Sequence, residues 1–168
     1  WCRSKFEERY GQPLDVGQFE GPEPWLNLEE FQRTSRREFI LGAVAACREV
    51  RPGLTMAWNG SGSIFADPDL DAAATYLATE AHPPAYEECF ARAKVMQGSG
   101  RPFEFYIPEA VRSWGDWTAV NPATLRGLCS LAIAHGGRVT VNHVPIPTGS
   151  YGGRVFAPVY EALGECFR

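Results

Sequence analysis

Four short apolar runs, each followed by a helical pattern, constrain this chain more than any other feature. They cover residues 54–59, 75–80, 103–107 and 138–144. Helical patterns follow at 67–71, at 86–97, from Asn121-Pro122 to the Gly136-Gly137 stop, and on to Phe167. Strands that alternate with helices predict an α/β fold with a parallel sheet and right-handed crossovers. The clearest run is ATYLATEAHPP, residues 74–84. It reads as a strand that delivers Glu80 at its C-terminal end, with His82 just beyond and Pro83-Pro84 forbidding continuation.

Side-chain alternation assigns the faces. Tyr76, Ala78 and Glu80 share one side; Phe103, Phe105 and Ile107 oppose Glu104 and Tyr106; Val139 and Val141 oppose Thr140 and Asn142. Each run therefore has a large apolar face suited to helices and a smaller, more polar one. A doubly wound sheet needs apolar side chains on both faces. One polar, converging face instead fits the interior and mouth of a TIM (β/α)8 barrel. Four strands make half of such a barrel, with two open edges and a bare inner face. Residues 1–168 are accordingly expected to form a single half-barrel segment that pairs with a missing half or self-associates.

Ahead of the first run, residues 1–10 read as a helix stopped by Gly11, and 12–24 as a linking loop. Asn27, with Glu30 three positions on, reads as the capping-box start of a long helix. That helix is expected to end near Arg51-Pro52-Gly53 and to bury Phe31, Phe39, Ile40, Ala43, Val44 and Cys47.

The net charge of −4 leaves no basic footprint, so no nucleic-acid partner is expected. No apolar run approaches the roughly 20 residues that span a bilayer, so no membrane partner is expected either. Five widely spaced cysteines without a CxxC give neither a zinc site nor a disulfide framework. Cys47, Cys89 and Cys129 read as small core residues, which slightly favours a reducing, cytoplasmic compartment. Asp67, Asp69 and Asp71 lack the Gly and terminal Glu of a calcium loop and read as a helix start. No metal and no cofactor is expected. The start at Trp1, without Met, reads as processed or incomplete.

Several blocks resemble a known family. CRSKFEERYGQPL matches C-R-x-x-F-x-x-R-Y-G at Cys2, Arg3, Phe6, Arg9, Tyr10 and Gly11. RPGLTMAWNG ends its strand in Asn59, and ATYLATEAHPP places Thr79 and Glu80 at a strand end. FEFYIPEAVRSWGDW keeps Glu104, Ser113, Trp114 and Gly115, and HGGRVTVNHVPIPTG keeps Gly136, Gly137, Asn142, Pro145 and Gly149. In this order and spacing the chain resembles the C-terminal half of the (β/α)8 barrel of α-L-fucosidases. It also resembles a related group of uncharacterised glycoside hydrolases akin to family 42 β-galactosidases. The departures are Phe103 in place of a Trp, His143-Val144 after Asn142, and the nucleophilic Asp of the fourth barrel strand, which would precede Trp1.

The resemblance implies hydrolysis of an O-glycosidic bond in a carbohydrate substrate. A retaining mechanism needs two carboxyl groups about 5 Å apart, one the nucleophile and one the acid/base. Glu80 is the first candidate, facing inward at a strand's C-terminal end, and Glu109 is the second, ending the next strand. Glu104 faces inward early in its strand, where a buried pair with an Arg competes with a substrate contact. Asn59 and Asn142 are strand-end amides, and His82 and His143 neighbouring imidazoles, all suited to sugar hydroxyls. Trp114 and Trp117 are loop aromatics suited to stacking on a pyranose ring. His135, beside Gly136, reads as a helix cap. The competing expectation is a non-catalytic carbohydrate-binding or scaffolding half-barrel.

Overall fold

A computed structural model describes residues 1–61, 67–111, 118–143 and 156–168. The chain divides into two compact units, Trp1–Leu54 and Thr55–Arg168.

The first unit is helical. Helix α1 (Cys2–Tyr10) ends where Gly11 takes a φ of 66° and donates its N–H to the Glu7 carbonyl. A single 3-10 turn at Val16–Gln18 follows, capped by the Asp15 side chain. Helix α2 runs over Glu23–Val50. It starts four residues ahead of Asn27, because Pro24 in the first turn lacks only an N–H that no helix start uses. Asn27 and Glu30 are thus interior residues, and the expected capping box is corrected. Phe6 packs edge-on against Phe31 at 5.4 Å and tilted against Tyr10 at 4.8 Å. Phe31 and Val44 are buried on α2, whereas Phe39 is 75% exposed and leaves the expected apolar face.

The second unit is α/β. Helix α3 (Pro68–Ala73) starts at Asp67, whose carboxylate accepts from the Asp69 and Leu70 N–H groups. Strand β1 (Leu77–Glu80), helix α4 (Tyr86–Gly98), strand β2 (Phe103–Pro108), helix α5 (Pro122–Ala134), strand β3 (Arg138–Asn142) and helix α6 (Ala157–Cys166) follow. The strands form a parallel sheet in the order β1-β2-β3. Asn121 caps α5, accepting from the Ala123 N–H at 2.8 Å.

The run 54–59 is not a strand. It lies beside β1, but side-chain hydroxyls replace the ladder. Thr75 N–H reaches the Met56 carbonyl at 2.7 Å, while Met56 N–H turns to Thr75 Oγ1 at 2.9 Å. Further on, Ala78 N–H donates to the buried Ser61 Oγ at 2.8 Å, and Ser61 donates to the Trp58 carbonyl at 2.9 Å. Gly60 closes the turn with a φ of 85° and gives its N–H to Ala78 O at 3.0 Å. A side chain at Gly60 would have to enter that left-handed region at a cost.

One sheet face carries Leu77, Phe103, Phe105 and Ile107. They share a core with Cys89, Ala93 and Met96 of α4, Leu125, Leu128, Cys129 and Ala132 of α5, and Val159 of α6. Each such large side chain contributes about 1.5–3 kcal/mol. The register puts Ala78, Glu80, Glu104, Tyr106, Arg138, Thr140 and Asn142 on the opposite face. All five cysteines are free, with Cys89 and Cys129 buried, Cys47 and Cys166 half-buried and Cys2 exposed. Among the described residues no helix is long and apolar enough to cross a membrane, and no cluster of three metal-ligating side chains occurs.

Candidate functional site

Two carboxylates stand at the C-terminal ends of neighbouring parallel strands, the edge where such sheets display chemistry. Glu80 is the last residue of β1, and Glu109 directly follows β2.

Asn59 Nδ2 donates to Glu80 Oε1 at 2.6 Å, and His82 Nε2 lies 2.6 Å from Glu80 Oε2. The Glu80 side chain is 18% exposed and that of His82 44%. From behind the sheet, Arg92 of α4 donates to Thr79 Oγ1 at 2.7 Å and to the Glu80 carbonyl at 3.2 Å, and pairs with Glu88. Thr79 is buried, and this bond satisfies its hydroxyl. Arg92 thus fixes the backbone on which the Glu80 carboxylate is mounted.

Glu109 is enclosed, with a side chain only 1% exposed. Its Oε1 meets Nδ1 of His143, the residue just past β3, whose side chain is 15% exposed. Tyr160 of α6 places its hydroxyl 3.0 Å from the same Nδ1. The Glu109 N–H reaches the Asn142 carbonyl at 3.2 Å, and its carbonyl accepts from Val120 N–H at 2.7 Å. That second bond belongs to a short antiparallel return, with Ala110 bridged to Ala119.

Glu104 does not join them. It sits five residues before Glu109 on an extended strand, roughly 16 Å away at 3.3 Å per residue. The Tyr76 and Tyr106 phenols lie close enough to its carboxylate to feel its charge, and Thr140 Oγ1 donates to it at 3.2 Å. Burial pushes the Tyr106 phenol well above its ordinary range, and the adjacent Glu104 charge adds to the rise. Tyr76 moves the same way for the same two reasons, burial first. Thr55, Thr75, Tyr76, Pro102, Phe103, Glu104 and Arg138 line a cavity of about 330 Å³ at this N-terminal end of the strands. Arg138 is the register partner of Glu104 across β2 and β3.

Of the other candidates, Asn59 and His82 both engage Glu80, and His143 engages Glu109. Asn142 is half-buried at the end of β3. Trp114 and Trp117 lie outside the described residues. His135 follows α5, with Nδ1 3.1 Å from Gln97 Oε1 and its ring edge-on to Phe90.

No family model, no curated protein and no solved structure matches this chain.

Sequence reasoning missed three residues. Arg92 is a cation on α4 set between the buried Cys89 and Ala93, and that position was the available signal. Ser61 and Tyr160 gave no signal, because Ala78 and His143, the partners that matter, each lie 17 positions away in the chain.

Proposed function

We propose that this chain carries one side of a glycoside hydrolase active site, in a C-terminal half-barrel of the α-L-fucosidase type. Its substrate would be a carbohydrate, cleaved at an O-glycosidic bond by a retaining mechanism. The observation that carries this is the pair of glutamates, Glu80 and Glu109, at the C-terminal ends of adjacent parallel strands, each meeting an imidazole.

Glu80 fits the acid/base. Its carboxyl group is reachable from solvent and touches a half-exposed imidazole, so protons have a route to it. Glu109, enclosed and met at Oε1 by His143, fits a group that presents a fixed oxygen. The polar sheet face around Glu104, Tyr106 and Thr140 would be covered by further βα units or by a second copy of the chain.

One observation favours a second reading, a sugar-binding module without chemistry. A carboxylate with 1% of its side chain exposed has little access to a substrate.

Kinetics on aryl glycosides, with the protein in the form its gene expresses, separate the two. If Glu80 is the acid/base, Glu80→Gln should lower turnover of poor-leaving-group substrates about 10²–10⁴-fold. Activated leaving groups should suffer less, and azide should restore part of the loss. Sugar binding without turnover in any form would favour the module, and absence of both would end the carbohydrate reading.

A further inference from the structure

We propose that His143 and Tyr160 are positioning residues for Glu109. One imidazole proton on Nδ1 is shared between the Glu109 carboxylate and the Tyr160 hydroxyl oxygen, so helix α6 sets the direction of the acid. This rests on Glu109 being one of the two working carboxyl groups, and it identifies what holds it.

The contacts at Nδ1 decide the proton's position. Glu109 Oε1 and the Tyr160 hydroxyl both lie against that one nitrogen. A bare imidazole nitrogen has a single lone pair, and a carboxylate oxygen only accepts. Lone pair against lone pair would repel. A proton on Nδ1 meets both oxygens at once in a three-centre bond, stronger on the carboxylate side. In the neutral ring this leaves Nε2 as the acceptor. His143 therefore spends its Nδ1 donor inside the protein rather than on a sugar.

The imidazole is held by one helix from two sides. Phe156, buried just before α6, packs edge-on to it at 5.5 Å, and the Tyr160 ring lies tilted at 6.2 Å. Helix α6 is itself anchored. Val159 and Ala162 are buried, and Glu165 pairs with Arg126 of α5 at 2.9 Å. The backbone of Glu109 is tied to Asn142 and Val120, so what remains to be set is the plane of its carboxyl group. Pinning Oε1 on His143 sets that plane and fixes where Oε2 points.

The test is NMR of the 168-residue chain labelled with ¹⁵N at its three histidines. The expected result is an Nδ1-protonated His143 with a slowly exchanging, strongly downfield ring proton. Tyr160→Phe keeps the ring packing and should shift that resonance. Glu109→Gln should move it further upfield, and His82→Ala should leave it in place. A His143 protonated on Nε2 alone, with Nδ1 bare, in the unmutated protein would overturn the proposal, as would a resonance indifferent to Tyr160→Phe in a folded variant. Because the first criterion needs no variant, misfolding of either substitution leaves the question decidable. In a form that hydrolyses glycosides, Tyr160→Phe should lower kcat about 2- to 10-fold, the rate equivalent of one hydrogen bond, with KM unchanged. The NMR result does not depend on turnover. A protein without glycosidase activity but with the shared proton would sink the catalytic reading alone.

Discussion

The two glutamate–imidazole pairs are built from the same side chains at the C-terminal ends of adjacent parallel strands, yet they live in different media. Glu80, the last residue of β1, meets His82 two residues further along the chain, with 18% of the acid and 44% of the imidazole exposed. Glu109 meets His143 from the next strand, with 1% and 15% exposed. A pair in contact with water contributes little net energy, because both partners are solvated without each other. A buried pair contributes little on forming but costs much when one partner is removed. The first pair is therefore adjustable and the second is fixed. A site that must both exchange a proton and hold a charge in place needs one of each.

The largest expected effect is at the fixed pair. His143→Ala removes the donor facing a fully enclosed carboxylate. Unfolding free energy from urea titration should fall by about 3–5 kcal/mol if the pair is ionic, and by about 1–3 kcal/mol if it is a neutral hydrogen bond. A loss no larger than that of His82→Ala would erase the contrast between the two pairs.

Next comes pH, which tests the helices behind the pairs. Burial pushes the Cys89 thiol of α4 up from 9.0 to about 11, helped by the Glu88 charge. Burial, with Cys166 adding, pushes the Cys129 thiol of α5 up to about 12. The native state thus holds these protons where the unfolded chain has released them. The stability is fully present below the unfolded value of 9.0 and drains away as pH rises through 11 and 12. Urea midpoints should fall between about pH 8 and about pH 10. Cys129→Ala and Cys89→Ala should each flatten that slope, and an unchanged slope in the double variant would place the alkaline loss elsewhere.

Ser61→Ala should act on one pair only. It strips the acceptor from the Ala78 N–H, a buried donor on β1, at a cost of about 1–3 kcal/mol. It also loosens the turn that carries Asn59, and hence the 2.6 Å bond to Glu80. The ring proton of His143 should not respond. If both imidazoles respond by NMR, the two pairs are coupled rather than separate.

What was legible in the sequence follows the same division between local and distant. The strands at Leu77–Glu80, Phe103–Pro108 and Arg138–Asn142 announce themselves by alternation, and α3 and α5 by Asp67 and Asn121, because those signals act within a few residues. Glu80 and Glu109 could be picked out for the same reason, as acids at strand ends. The segment 54–59 alternates as a strand should, but its ladder is lost to the hydroxyls of Thr75 and Ser61, which only tertiary structure brings to it. The start of α2 was hidden by a capping pattern that fits Asn27 locally and is outcompeted by Pro24 one turn earlier. The partners of Glu109 were not legible at all. His143 lies 34 positions on and Tyr160 another 17, and no local pattern links residues so far apart.

The smallest effect is the one that bears most directly on the exposed pair. A double-mutant cycle with Glu80→Gln and His82→Ala isolates their interaction from the packing each side chain also loses. With the imidazole half in water, the coupling should be about 0.2–1 kcal/mol and should shrink in high salt if it is ionic. Asn59 stays as a donor in every corner of the cycle, so its bond to residue 80 largely cancels. A coupling of several kcal/mol would mean that His82 is far more desolvated than its 44% exposure implies, and that the loop closes over Glu80 in solution. The two pairs would then be alike, and the proton route to Glu80 would need another opening.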